Sequence, residues 1–265
     1  KSTKDPGTTF SNVAHAISEF LGNKRLFLND ECDQCNGKVI NRLEGSLVSY
    51  LGPLCTLLSV RGKKGFRSHS ESGVLATVTS PGQVVLQITS DKVQQSDKDG
   101  GLTMKFAMKG GNVVMQDIYK LLAKFALSVL STEEFCKGDF KNTCRWISSC
   151  GYLDAGLPLV ASCVGKRRSS INPRVCVYRR KSAVKGARIP EYLCELEIVA
   201  TRYLFEIPLI HKSAVLDTAE KWKSFLEEVG IFGGSDVYSF FDFSNDSNIF
   251  SRISRTVAKH DSIRI

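Results

Sequence analysis

A Cys-x-x-Cys pair near the amino end of the chain has the residue types and spacing that bind zinc. Cys32 and Cys35 are separated only by Asp33 and Gln34, so both thiolates can reach one ion from a tight turn. Tetrahedral zinc takes four ligands, and the chain has no second pair with this spacing. The sequence therefore predicts half of a structural zinc site whose other ligands lie upstream of Lys1, with two incidental buried cysteines as the alternative.

His15 lies 17 residues before this pair and has the chemistry of a general base. Hydrolysis of a phosphodiester needs a water that is deprotonated near neutral pH, and an imidazole with an unperturbed pKa of about 6.5 suits that step. The reaction also needs a cation beside the scissile phosphate, and Asn36 follows the cysteine pair directly. On its own His15 would be interpreted as a structural histidine, but its position before the cysteine pair favours a catalytic role.

The surrounding pattern predicts a strand, a second strand and a helix that would position these side chains. A short loop or strand carries His15, a Gly-Asn turn follows at residues 22–23, and a strand is predicted at residues 25–28. After Asn36 the apolar residues recur at steps of three and four, which is typical of one face of an amphipathic helix. Gly52 and Pro53 are predicted to end that helix.

Three short stretches of this segment resemble the bacterial HNH endonucleases, in particular members with a zinc knuckle on each side of the histidine. They are residues 14–23 (AHAISEFLGN), 31–38 (ECDQCNGK) and 41–44 (NRLE). The resemblance implies a metal-dependent endonuclease that hydrolyses phosphodiester bonds. A role in bacterial defence would fit the family.

The resemblance also assigns roles to individual residues. On a ββα-metal (HNH) unit, His15 would activate the attacking water, Asn36 would help to hold a catalytic Mg²⁺ or Mn²⁺, and the two cysteines would hold structural Zn²⁺. In the family an asparagine orients the histidine loop. Both Asn23 and Asn29 are candidates for that role.

One position departs from the family pattern. Many members carry an acidic metal ligand directly before the histidine, and this chain has Ala14 there. Glu44 is the candidate replacement because it lies eight residues after Asn36, about two helical turns along the same face. An exposed helix-surface glutamate is the alternative for it. Glu31 lies closer to the cysteine pair, but it fits a solvent-exposed strand end equally well.

The net charge of +9 is the electrostatic footprint of a polyanion binder. A solvated basic surface without function is the alternative. Three clusters of cations are predicted to contact phosphates, with DNA favoured over RNA as the partner. One is Lys63, Lys64 and Arg67 in a connector, and the two better candidates are Lys166, Arg167 and Arg168 and then Arg179, Arg180 and Lys181. Such contacts give affinity and register but do not read sequence.

The fold class predicted for the whole chain is α+β. Residues 1–60 are assigned to the ββα-metal domain, and residues 61–265 to a larger mixed α+β domain that binds substrate or a partner. Strands are predicted at residues 74–78, 83–89, 103–108, 158–164, 174–179 and 192–210, and helices at 116–130, from 132 toward 146, and at 218–229. The first of these helices also resembles one in the same nuclease group. Its Lys120 and Lys124 are interpreted as solvated surface lysines, with a basic stripe as the alternative.

The composition of the chain bears on whether it folds, whether it associates with a membrane and in which compartment it resides. Hydrophobic residues at 42% and charged residues at 24% are typical of a folded globular protein. No apolar run approaches the roughly 18 to 20 residues needed to cross a bilayer, which predicts no membrane association. Nine scattered cysteines argue against a disulfide framework and favour the cytoplasm. Five of them are interpreted as small buried hydrophobic residues: Cys55, Cys136, Cys163, Cys176 and Cys194.

Two other hypotheses stand beside the nuclease. One is a catalytically weak zinc-knuckle module that binds nucleic acid and keeps its ββα unit for structure after loss of the acidic ligand. The other is a subunit of a regulated defence complex, whose second domain docks a regulatory protein such as an ATPase.

Overall fold

The chain folds into helices and antiparallel sheets. The computed structural model describes residues 7–71, 74–88, 94–98, 101–105, 113–137, 139–153, 156–164, 172–181, 189–198, 201–210, 212–229 and 238–244. Within these ranges there are five α-helices and twelve strands. The predicted α+β class is confirmed.

The amino-terminal part consists of two short strands followed by a long helix. Strand β1 (Ala14–His15) pairs antiparallel with β2 (Phe27–Leu28), and a 3-10 turn at Glu19–Leu21 lies between them. A π-helical turn (Cys35–Ile40) then continues directly into α1 (Asn41–Leu57). The predicted order of strand, strand and helix is the order observed.

Helix α1 continues through Gly52 and Pro53, so the prediction that these residues end it is wrong. A proline ring normally clashes with the backbone and Cβ of the residue before it, which disfavours a helical conformation there. Gly52 has no Cβ, which removes part of that clash. Both residues are buried in the core, so packing also holds this turn helical.

Two small antiparallel units follow α1. Strands β3 (Ser68–Glu71), β4 (Val74–Ser80) and β5 (Gln83–Ile88) form a three-stranded meander, and β6 (Gln94–Lys98) pairs with β7 (Gly101–Lys105). Strands β3 and β6 have no counterpart among the predicted strands. Their sequences, SHSE and QQSDK, are polar and contain no β-branched residue, so they carry no strand signal.

Three helices connect these units to the carboxyl-terminal half: α2 (Met115–Leu127), α3 (Thr132–Lys137) and α4 (Lys141–Ser148). The helix predicted from residue 132 toward 146 is in fact the pair α3 and α4. Asp139, between them, has a φ of 45°, a left-handed conformation that aspartate tolerates and a helix does not.

A five-stranded antiparallel sheet follows. Its strands, in spatial order, are β12 (Tyr238–Phe241), β8 (Val160–Val164), β11 (Thr201–Glu206), β10 (Tyr192–Ile198) and β9 (Arg174–Arg179). The single run predicted at residues 192–210 is therefore a hairpin of β10 and β11. Residues 199–200 are Val-Ala and include none of the Gly, Pro, Asn or Asp residues that signal a turn.

Both faces of this sheet are covered. Alternate strand residues point to opposite faces. On one face, Leu193 and Leu204 pack with Trp222 of α5 (Ala219–Val229). On the other face, Cys194 and Phe205 join the core that contains α2.

Helix α2 lies between α1 and the sheet, and all thirteen of its residues are buried. Lys120 and Lys124 are buried with it, so their interpretation as solvated surface lysines is wrong. Leu43 of α1 belongs to the same hydrophobic core as Leu121 of α2. The predicted domain boundary at residue 60 therefore runs between two parts of one core, and it stays a prediction.

The structure also bears on the predicted burial of five cysteines and on the prediction of no membrane association. All nine thiols are free; Cys55, Cys163 and Cys194 are buried as predicted, whereas Cys176 is half-buried and Cys136 is exposed on the short helix α3. None of the helices in the described ranges combines the length and apolarity needed to span a membrane.

Candidate active site

Strand pairing sets His15 on the outer face of the β1–β2 hairpin. His15 lies directly opposite Phe27, and their ring centroids are 5.0 Å apart. Ala14 and Ala16 point to the other face and are buried. Val13, which shares the His15 face by the same alternation, is 66% exposed. The two small alanines thus seat the hairpin on the core and leave the histidine face outward.

One buried asparagine fixes the loop of this hairpin. The Asn23 Nδ2 group donates to the carbonyls of Ile17 (2.7 Å) and Leu26 (2.9 Å), and Asn23 Oδ1 accepts from the N–H groups of Arg25 (3.1 Å) and Leu26 (2.9 Å). Asn23 is 3% exposed, whereas Asn29 is an exposed residue. Of the two candidates, Asn23 is therefore the one that holds the histidine loop.

The two ring nitrogens of His15 have different surroundings. His15 Nε2 lies 3.6 Å from Glu19 Oε2, and Glu19 Oε1 accepts a hydrogen bond from Lys24 Nζ at 2.5 Å. This hydrogen bond lowers the pKa of Glu19, so the group beside the imidazole is an anion. His15 Nδ1 is buried and has no hydrogen-bond partner in the described part of the chain.

Cys32 and Cys35 come together where the helix begins. Burial opposes ionisation of Cys32, but hydrogen bonds from the Cys35 amide and thiol and from the Gln34 amide lower its pKa. Amides aimed at a sulfur stabilise the thiolate, which is the form that binds zinc. The pair therefore fits two ligands of a zinc ion. Within the described residues, no group of three or more Cys, His, Asp or Glu side chains forms a complete metal site.

Asp33, between the two cysteines, holds the segment that precedes the hairpin. Its carboxylate accepts hydrogen bonds from Thr9 Oγ1 (2.5 Å) and from the N–H groups of Ser11 (3.0 Å) and Asn12 (2.8 Å). The Thr9 hydroxyl and the two amides lower the pKa of Asp33 to about 2. The turn between the cysteines is thus tied to the strand that carries His15.

We expect the stabilisation by Asp33 to disappear in acid. Its folded-state pKa of about 2 is below its ordinary value of 3.8, so its contribution is complete above about pH 4 and is lost as the pH falls through about 2. The thermal midpoint should therefore fall less steeply between about pH 5 and pH 2 in Asp33→Asn than in the natural protein. Hydrogen exchange at the Ser11 and Asn12 amides measures the same loss locally. Parallel pH profiles for the two proteins would contradict this role.

Asn36 links the start of the helix to the hairpin. Its backbone N–H donates to Cys32 O at 3.0 Å, and its Nδ2 group lies 3.5 Å from Val13 O, two residues before His15. The two residues expected to act together, His15 and Asn36, therefore lie on adjoining elements.

Lys124 of α2 connects the hairpin to the acidic residues. Its Nζ group donates to His15 O and lies 3.0 Å from Glu31 Oε2. Burial lowers the pKa of Lys124, while Glu31, and Glu44 from α1, act in the opposite direction. The Glu31 side chain is only 11% exposed, so it is not a solvent-exposed strand end. Glu44 is half-buried, and its role as a metal ligand stays a prediction.

Lys63 and Lys64 form the tip of a tight turn. The Gly62 N–H donates to Gly65 O at 3.0 Å, and the Gly65 N–H donates to Gly62 O at 3.3 Å. Gly65 has a φ of +96°, which a glycine adopts without strain. Both lysines are exposed, as phosphate contacts require.

An open cleft of about 460 Å³ lies between this turn and the hairpin loop. Its lining residues are Gly22, Lys24, Arg61, Gly62, Lys63 and Asn172. The charge of Lys63 also acts on Glu19, the neighbour of His15. Arg67 is exposed and stacks on the Phe20 ring at 4.7 Å. The first predicted cation cluster is therefore near the histidine hairpin.

The second predicted cluster, Lys166, Arg167 and Arg168, lies outside the described residues. In the third predicted cluster, Arg179 pairs with Glu134 at 3.2 Å and Arg180 donates to Ile189 O at 2.7 Å. Both guanidinium groups are therefore engaged in contacts within the protein.

The residues that surround His15 include several that sequence reasoning missed. Glu19 follows His15 by four positions, and Lys24 lies in the same loop, but neither spacing is distinctive without the hairpin register. Phe27 resembles an ordinary strand residue until its pairing with His15 is known.

No family model, curated protein or solved structure matches the chain.

Proposed function

We propose that the chain is a metal-dependent endonuclease of the HNH type that hydrolyses phosphodiester bonds, with DNA favoured as the substrate. The observation that carries the proposal is the half-buried His15 imidazole, which shares a hairpin face with Phe27 and whose Nδ1 is buried and unpartnered among the described residues. Asn36 adjoins the same strand, and exposed cations lie beside the hairpin loop. These are the groups that phosphodiester hydrolysis requires.

His15 would act as the general base. The Glu19 carboxylate lies on the Nε2 side of the ring and favours the tautomer that carries its proton there. Nδ1 is then the nitrogen that accepts a proton. Because Nδ1 is buried, substrate binding would have to open this side of the ring to the water that becomes the nucleophile. Lys24 keeps Glu19 ionised, so the pair holds the ring in this state.

Asn36 and Glu44 are the residues that would hold Mg²⁺ or Mn²⁺. A bound divalent ion stabilises the charge that develops on the phosphate and on the leaving oxygen. Asn36 lies on the π-helical turn and Glu44 on α1, and both are half-buried, but no group of three or more Cys, His, Asp or Glu side chains within the described residues forms a complete metal site. Cys32 and Cys35 would supply two of the four ligands of structural Zn²⁺.

Cleavage of supercoiled plasmid with Mg²⁺ or Mn²⁺ tests the proposal. We expect His15→Ala to lower the cleavage rate at least about 100-fold, because a positioned general base contributes roughly 10²- to 10⁴-fold. His69→Ala is the matched control, since His69 lies on β3 outside the hairpin, and it should retain the natural rate. Equal rates for His15→Ala and the natural protein would overturn the catalytic assignment.

A non-enzymatic zinc module that binds nucleic acid is the second candidate. Two observations favour it: Ala14 stands where many HNH enzymes have an acidic ligand, and the Lys124 ammonium is close to the carboxylates that could replace that ligand. Such a protein would bind plasmid without cutting it, at every Mg²⁺ or Mn²⁺ concentration. The same assay, with a gel-shift measurement beside it, separates the two candidates.

A further inference from the structure

We propose that the exposed face around Phe27 binds an unpaired nucleotide base, so that the His15 site acts on single-stranded or locally unpaired nucleic acid. The inference rests on the proposed function, since the bound strand is taken to be the substrate. The inference goes beyond the proposed function in two ways. It specifies that the bound nucleic acid is single-stranded or locally unpaired, and it assigns Phe27 as the side chain that selects this form.

Phe27 is an aromatic residue that the fold leaves uncovered. Phe27 is 52% exposed. One side of the ring is occupied by His15 at 5.0 Å between centroids. Val13, on the same face, is 66% exposed. The open part of this face lies beside His15, the group that would activate water.

Cations lie on one side of this apolar face. Glu19 connects them to it, because its carboxylate is 3.6 Å from His15 Nε2 and accepts a hydrogen bond from Lys24. Beyond Glu19, Lys24 and Lys63 line the cleft between the hairpin loop and the Lys63 turn, where a phosphate of the same strand would lie. A flat apolar platform with an electropositive groove beside it is the combination that binds single strands.

The chemistry favours an unpaired base over the other occupants of an exposed apolar face. In a duplex both faces of every base are already stacked, so Phe27 would have no partner there. A protein interface is disfavoured because its centre is normally depleted of lysine, whereas this small face borders a lysine-lined cleft. One aromatic ring with phosphate contacts nearby fits a nucleotide.

Fluorescence anisotropy without added Mg²⁺ or Mn²⁺, and without a chelator that would remove zinc, tests the inference without requiring cleavage. The probes are a labelled oligo-dT of about 12 nucleotides, an oligo-U of the same length and a duplex of the same length. We expect Phe27→Ala to weaken binding of the single strands about tenfold, because one base stacked on an aromatic ring contributes roughly 1–3 kcal/mol. Duplex binding should change by less than about twofold, since it depends on phosphate contacts.

Three further variants sharpen the test. Phe27→Trp should keep single-strand affinity, and Phe135→Ala, which removes an exposed ring on α3, should leave it unchanged. Lys63→Ala should weaken single strand and duplex alike. An equal loss on both substrates in a folded Phe27→Ala protein, or no loss on either, would overturn the inference. If Phe27 selects single strands but no plasmid or oligonucleotide is cut with Mg²⁺ or Mn²⁺, the nuclease proposal fails while the binding site stands.

Discussion

Lys124→Met should lower the free energy of unfolding by about 3 kcal/mol, because removing one partner of a buried ion pair costs roughly 3–5 kcal/mol. Methionine retains most of the apolar stem, so the loss comes from the ammonium. Its removal leaves the Glu31 carboxylate without its counter-ion and the His15 carbonyl without its donor. Urea denaturation at neutral pH measures the change.

Two further proteins make this result specific. Lys141→Met removes an exposed lysine on α4 and should change stability by less than about 0.5 kcal/mol. The double variant Lys124→Met, Glu31→Gln should recover part of the loss, since it no longer buries an unpaired charge. A Lys124→Met protein as stable as the natural one would show that the pair has no structural role.

Asn23→Ala should destabilise the protein by a similar amount, about 3 kcal/mol. The substitution removes four hydrogen bonds at a residue that is 3% exposed, and each is expected to contribute roughly 1 kcal/mol. Asn23→Asp keeps the two acceptor contacts but sets a buried carboxylate against the Ile17 and Leu26 carbonyls, so it should be at least as destabilising as Asn23→Ala at neutral pH.

Asn29→Ala is the control for this measurement because Asn29 is an exposed asparagine near the end of the same hairpin. It should shift the denaturation midpoint very little. In Asn23→Ala the amides of Arg25 and Leu26 should also exchange with solvent faster, since both lose their acceptor. Equal midpoints for the two alanine variants would contradict the role assigned to Asn23.

The spacing of apolar residues was sufficient to predict those helices and strands that are each marked by one continuous stretch of sequence. The strand at 174–179 matches β9, and the apolar spacing after Asn36 matches the helical run that ends at Leu57. Pro53 misled the prediction because its usual effect depends on the preceding residue, which here is glycine. The β10–β11 hairpin was hidden for a different reason, since its two strands are both apolar and no turn residue separates them.

The candidate site could be predicted only as far as its residues are close in sequence. His15, the cysteine pair and Asn36 all lie within one short segment. Lys124 comes from α2, more than a hundred positions after His15, and nothing in its own helix indicates that it is buried. Charge pattern on a helix cannot reveal what covers the helix, because that depends on packing between distant segments.

Lys124 also limits how this protein can be divided. A fragment that ends near residue 60 would contain the hairpin, the cysteine pair and α1, but it would lack the ammonium that holds the His15 carbonyl and Glu31. Grafting the hairpin onto an unrelated scaffold would lose the same contact. The two halves should therefore be inherited and exchanged together. Co-expression of the separated halves should restore the contacts of Lys124 with the His15 carbonyl and Glu31, which neither half can form alone.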